Sequence, residues 1–164
     1  VMLLRLLLAE KDAAPDEWIP MEPHLDRMLK AADGALLIGD AALAASRRHD
    51  SRLDFDLVDR WRKWTNLPFV FAVWAARADH PRRAEMTKLF TESSIQGLSR
   101  LDAIAQRRSG FKGLSSWEIL TYYKKNMVYR LGKSHMAAID LFREKTSKLP
   151  ADFGRVVQSR IPAL

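Results

Sequence analysis

Apolar positions fall into helical stripes over most of the chain and into unbroken runs at a few places. Residues 2–9 are apolar nearly all round, which predicts a helix packed on more than one side. Residues 11–16, polar around Pro15, read as a loop, and residues 17–21 as a short strand. Glu22-Pro23 opens a helix, since proline suits a first turn. Leu25, Met28, Leu29 and Ala32 form its stripe, and Asp33-Gly34 ends it. Residues 35–38 are a short apolar run read as a buried strand. Gly39-Asp40 follows, and residues 41–45 begin another helix. Residues 46–54 are a polar, basic loop, and residues 55–57 a brief strand. A helix over 58–64 then sets Leu57, Trp61 and Trp64 on one face.

The chain is organised around residues 60–79, which hold Trp61, Trp64 and Trp74 with Phe69 and Phe71. The first half is charged and aromatic and is broken at Thr65-Asn66. The second half, from Pro68 to Ala75, is continuously apolar, aromatic and β-branched, and predicts a strand buried on both faces. Almost everything beyond is helical. His80-Pro81 opens a long helix to about Arg108, inside which Gly97 marks a bend or a close contact. Residues 109–113 form a loop. Ser115 and Glu118 have the spacing of a capping box, and the helix they open carries Ile119, Leu120, Tyr123 and Met127 until Leu131-Gly132. Ser134 caps a last helix with Met136, Ile139, Leu141 and Phe142 inward, and the residues from Pro150 on are a frayed tail.

A length of 164 residues, 48% of them hydrophobic and 29% charged, suits one globular domain with a core. No apolar run reaches the roughly 18 residues of a membrane span, so no membrane partner is expected. The opening apolar residues lack a basic leader and a cleavage site. The absence of cysteine excludes disulfides and thiol catalysis, and fits a reducing cytoplasm. A net charge of +7 raises nucleic acid as a partner. The basic residues are spread along the chain, however, and the densest group, Arg77 with Arg82-Arg83, is small, so no nucleic acid is expected.

Candidate chemistry is sparse. His24, His49, His80 and His135 show no metal-ligand spacing, and no phosphate loop, dinucleotide fingerprint or nucleophile elbow is present. A strand, a glycine, an acid and a helix start follow one another at 35–41. That order places Asp40 either as a helix cap or against a ligand at the end of a strand.

Met21-Glu22-Pro23, the run Ala-Leu-Leu-Ile-Gly-Asp-Ala-Ala-Leu at 35–43, and Trp-x-x-Trp-Thr-x-Leu-Pro-Phe-Val-Phe-Ala-Val-Trp-Ala at 61–75 resemble the chorismate dehydratase family of the futalosine route to menaquinone. The resemblance is strongest over 17–79, looser to about Leu149 and absent in the tail. It implies an α/β, two-lobed fold like the type II periplasmic binding proteins. Residues 1–66 would be the remainder of the second lobe, 67–149 a crossing strand and helices returning to the first, and 150–164 a tail. The activity implied is a carbon–oxygen lyase reaction that removes water from chorismate, in the cytoplasm, with no metal or organic cofactor. A sister family acting on cyclic dehypoxanthinyl futalosine has a His-Glu pair in place of Gly39-Asp40 and lacks the aromatic run.

A family chain runs to nearly twice this length. The resemblance implies that an N-terminal part with an early Asn and Ser/Thr loops holds the substrate, so the catalytic residues lie outside these 164 residues. Gly39 and Asp40, with the wall at Leu67, Pro68 and Phe69, are then what remains of substrate binding. The chain alone is expected to be inactive, and an incomplete lobe exposes apolar surface that favours a homo-oligomer or aggregation. Two other readings fit the same fold: a non-catalytic solute-binding or sensor protein for small anions, and a gene remnant. The intact helical periodicity opposes the remnant.

Overall fold

The computed structural model describes residues 1–46, 55–150 and 155–156. They divide between two compact units, Val1–Phe69 with Lys133–Leu164, and Val70–Gly132.

The first unit is built on helices α1 (Met2–Ala9), α4 (Leu57–Thr65) and α8 (Lys133–Ser147). Leu3 and Leu6 of α1 are buried with Trp61 of α4, and Leu57, Trp64, Phe69, Leu141 and Phe142 pack round them. Trp61 is fully buried. Its ring meets Trp64, Phe69 and Phe142 edge-on, with centroids 5.8, 5.6 and 6.0 Å away. Edge-to-face pairs at such distances add about 0.5–1.5 kcal/mol each beyond their buried area. Leu3 and Leu6 of α1 are buried, and residues 4, 5 and 7–9 are half-buried, so the helix is covered beyond its core stripe.

Helices α2 (Leu25–Ala31) and α3 (Gly39–Ser46) lie at the surface of this unit. Strand β1 (Glu17–Trp18) pairs in parallel with β2 (Arg155–Val156). This pair lies partly in the expected frayed tail; the rest of the tail and residues 47–54 fall outside the described residues.

The second unit is helical: α5 (Arg83–Ser99), α6 (Leu101–Arg107), a 3-10 turn (Phe111–Gly113) and α7 (Ser116–Thr121), which runs into one π-helical turn (Tyr122–Asn126). The capping box at Ser115 is complete. Its hydroxyl accepts from the Glu118 N–H at 3.3 Å, and the Glu118 carboxylate accepts from the Ser115 N–H at 2.8 Å.

The described residues are therefore mostly helical with very little strand. The α/β pattern expected from the sequence is not seen at 35–38, 55–57 or 67–76. The first and last of these form no ladder among the described residues; Ile38 is 70% exposed and Trp74 82%. Apolar content gives a segment the tendency to be a strand, but only a neighbouring strand makes it one. At 55–57 the reason is different. Asp56 caps α4, its carboxylate accepting from the Val58 and Asp59 N–H groups at 2.8 and 3.3 Å.

The single helix expected over 80–108 is broken at Arg100, three residues beyond Gly97, with Arg100 N–H bonded to the Gly97 carbonyl at 3.1 Å. The helix after Ser115 leaves helical geometry before Met127. Helix α8 begins at Lys133, so Ser134 lies inside its first turn, and Met136 is exposed while Ala138 is buried.

Candidate functional site

The segment from Trp61 to Phe69 builds itself around its own backbone. Asn66 ends α4 in the left-handed conformation, φ 54°, with its N–H on the Arg62 carbonyl at 2.8 Å. Asparagine tolerates that conformation better than other side chains. The Thr65 hydroxyl donates to the Trp61 carbonyl at 2.9 Å and accepts from the Leu67 N–H at 3.2 Å. The Trp61 indole N–H donates to the Pro68 carbonyl at 3.1 Å. The turn thus satisfies these polar groups from within. Leu67, Pro68 and Phe69 are half-buried, and the Phe69 ring also meets Phe142 at 5.4 Å. What looks like a binding wall in sequence is first of all the packing that closes α4 onto the core.

Gly39 and Asp40 stand apart from that cluster, in the first turn of α3, and both are exposed. Gly39 has φ 60°, which glycine adopts without strain. Asp40 lies within the helix rather than ahead of it, so it is not the cap; its carboxylate stands in the first turn, where the helix dipole favours negative charge.

The described histidines hold no metal-like arrangement. His24 precedes α2, and His80 accepts the Arg82 N–H through Nδ1 at 3.2 Å. His49 lies outside the described residues. Among the described residues no three His, Cys, Asp or Glu side chains come together as a metal site, and no helix is long and apolar enough to cross a membrane.

The basic group in the second unit is balanced locally. Arg77 forks onto Asp79 at 3.0 and 2.7 Å, Arg82 onto Glu85 at 2.8 and 2.6 Å, and Arg83 reaches the Ala78 carbonyl at 3.3 Å. These guanidinium bonds hold the Asp79 and Glu85 carboxyls below their ordinary range. Both pairs are exposed, so they order the chain locally and contribute little to stability.

The second unit also has an apolar cleft of about 260 Å³, lined by Gly97, Leu98, Leu101, Ile104, Tyr123 and Tyr129 among others. Nothing lies within 4 Å of where a Gly97 side chain would begin, so the glycine leaves the cleft open rather than allowing a close contact. Burial, and then the neighbouring Tyr123 and Tyr122, push the Tyr129 hydroxyl pKa up. Sequence alone singled out Gly97 but not the cleft, because the π turn that carries Tyr123 has no simple sequence signature.

Comparison with known proteins places these features. Residues 1–148 match the profile of the menaquinone biosynthesis family. A chorismate dehydratase of Thermus thermophilus is 35% identical over 162 residues, covering 88% of this chain. The match covers 58% of that relative, so the chain spans well under two thirds of its length. With nearly all of its described residues inside the matched range, the chain belongs to the menaquinone biosynthesis family.

Proposed function

We propose that the chain is part of a chorismate dehydratase, a hydro-lyase converting chorismate to 3-[(1-carboxyvinyl)oxy]benzoate and water on the futalosine route to menaquinone. The observation that carries this is the 35% identity to a chorismate dehydratase over most of the chain, inside a family match reaching residue 148. A ring C–H gives up its proton, the ring hydroxyl leaves, and aromatisation drives the step. The substrate is a dianion, so the protein's work is to clamp two carboxylates and stabilise charge with fixed donors.

The fold that goes with this reading is two-lobed, of the periplasmic-binding type, and the location is the cytoplasm. Residues 1–66 belong to one lobe and 67–149 lead to the other. Gly39 and Asp40 contribute to substrate binding at the start of α3. The Asp40 carboxylate suits a substrate hydroxyl, which can donate to it, and would repel a carboxylate. Leu67, Pro68 and Phe69 supply an apolar wall. The shifted carboxyls described above are exposed ion pairs and not a buried acid and base poised for proton transfer. The groups that move protons therefore lie in the family length that this chain does not match.

The test is product formation from chorismate, followed by the benzoate's absorbance and mass. The 164 residues alone are expected to give none, and the same residues joined to the unmatched part of the Thermus relative are expected to give product. Turnover by the 164 residues alone overturns the placement of the catalytic groups. Tight chorismate binding without turnover in the joined protein favours a non-catalytic anion-binding protein.

A further inference from the structure

We propose that residues 100–132 form a surface that binds membranes of anionic lipid, holding the chain at the bilayer face without crossing it. Cations are spread along the chain, but acids are not. The first unit has sixteen Lys and Arg against fifteen Asp and Glu. The second, smaller unit has eleven against five, which is +6 of the chain's +7. Within it, residues 70–99 hold four against three, and Arg77, Arg82 and Lys88 each face a carboxylate. Residues 100–132 hold seven against two. Of the two acids, Asp102 meets Lys124 at 3.4 Å and Glu118 serves the capping box. Arg100, Arg107, Lys125 and Arg130 are exposed and pair with no carboxylate among the described residues.

Bulky apolar side chains stand among these cations. Trp117 is 71% exposed and Val128 62%, and Met127, Tyr129 and Leu131 are exposed as well. Trp117 and Lys125 are eight positions apart in a helical run that ends in the π turn. The wider turn takes an additional residue, so eight positions make about two turns and set both side chains on one side. Residues 127–131 then leave the helix without regular structure, and the Tyr129 hydroxyl ties them back by donating to the Tyr123 carbonyl at 3.3 Å. Lys and Arg beside exposed Trp and aliphatic side chains are what an interfacial element presents to lipid. The cations meet headgroup phosphates, and the apolar side chains enter the boundary beneath. Single-stranded RNA can stack on Trp and Tyr, but it gives Met127, Val128 and Leu131 nothing to do.

Charge also separates lipid from other covers. A protein segment laid over this surface has to bring a carboxylate to each unpaired cation, because an uncompensated buried charge is costly. An anionic bilayer offers phosphates wherever the cations fall. A second copy of this chain brings another +7 and is repelled. No described helix is long and apolar enough to cross a membrane, which bears on spanning and not on binding at the surface. The proposal does not depend on the dehydratase reading.

The experiment is co-sedimentation with vesicles of one part phosphatidylglycerol to two parts phosphatidylcholine. It uses the 164-residue chain and the same chain joined to the unmatched part of the Thermus relative. Both are expected to bind these vesicles about tenfold or more tightly than pure phosphatidylcholine. That preference should fade at about 1 M salt, where screening reaches about 3 Å. Arg107→Gln, Lys125→Gln and Arg130→Gln together, none of which has a carboxylate to lose, are expected to weaken binding about tenfold or more. Trp117→Ser with Val128→Ser is expected to do the same, with amide protection in α5 unchanged. If either set loses that protection, Lys125→Gln and Val128→Ser alone carry the test, each weakening binding about threefold.

Absence of binding, equal binding to neutral vesicles, or binding that either set leaves unchanged overturns the proposal. So does tighter binding, at the same salt, to a short single-stranded RNA or to polyglutamate. A joined protein that turns over chorismate but leaves the vesicles unbound also overturns it, since the surface is then covered in the whole protein. A joined protein that binds the vesicles without turnover removes the dehydratase reading and leaves this one.

Discussion

The indole N–H of Trp61 donates to the carbonyl of Pro68, seven positions further along the chain. The bond sits on the one large side chain that is fully buried among the described residues, so the same residue closes α4 and fills the core. Trp61→Phe keeps most of the packing and leaves the carbonyl without this donor. It is expected to cost about 1–3 kcal/mol. Trp61→Ala also opens a cavity and is expected to cost about 3–5 kcal/mol. Urea unfolding of both variants checks the two figures; a Trp61→Phe loss near zero would mean the hydrogen bond contributes nothing, and equal losses that the cavity adds nothing.

Gly39 is held at φ 60° with open space where a side chain would begin. Gly39→Ala therefore meets no neighbour, and its cost is backbone conformation alone, roughly 1–2 kcal/mol. Gly39→Asn is expected to cost less, because asparagine tolerates that region. A thermal melt that ranks alanine below asparagine bears this out, and equal melting temperatures would count against it.

Ser115→Ala removes one half of the capping box and is expected to lose about 0.5–2 kcal/mol of local stability. The Glu118 carboxylate then loses the hydroxyl and keeps its bond from the Ser115 N–H. Faster amide exchange over 116–121, with α8 unaffected, is the signature to look for.

Glu85 has its pKa lowered by hydrogen bonding from Arg82, and Glu144 by hydrogen bonding from Lys148. A carboxyl with a depressed folded-state pKa stabilises the fold above its unfolded value, and that contribution is lost as pH falls through the folded value. The starts and ends of these helices should therefore loosen in acid and not in base. NMR titration is expected to place the Glu85 carboxyl below its ordinary value in low salt and to bring it back toward that value in Arg82→Gln. At about 1 M salt, where screening reaches about 3 Å, the depression should shrink.

Local features were legible in the sequence wherever a few neighbouring residues decide them. The capping box at Ser115, the stop at Asn66 and the aromatic face of α4 are of this kind. Asp56 carries a cap signal of the same kind, an acid just ahead of an amphipathic stretch, but its apolar neighbours Phe55 and Leu57 give the same residues the pattern of a short strand. Strands are different. Residues 35–38 and 67–76 have the composition of buried strands, but a ladder depends on residues far away in the chain, and no window of sequence reveals whether those are present. The break at Arg100 and the π turn at Tyr122 depend on how successive helices settle on one another. For the candidate site, the motif around Trp61 signalled the family clearly, while its side chains turned out to hold the fold together.

The β1–β2 pair joins residues near the two ends of the chain through only two partners on each side, Glu17 with Arg155 and Trp18 with Val156. Closing so long a loop for so few bonds is unfavourable in an open chain, with an entropic cost that grows as the logarithm of its length. Helices α1 and α8 change that, because they already lie together in the core and bring the two strands to within about eight residues of a fixed point on either side. The ladder is thus expected to close after the helices have met and to open before they part, which faster amide exchange at 17–18 than in the core of α1 would show.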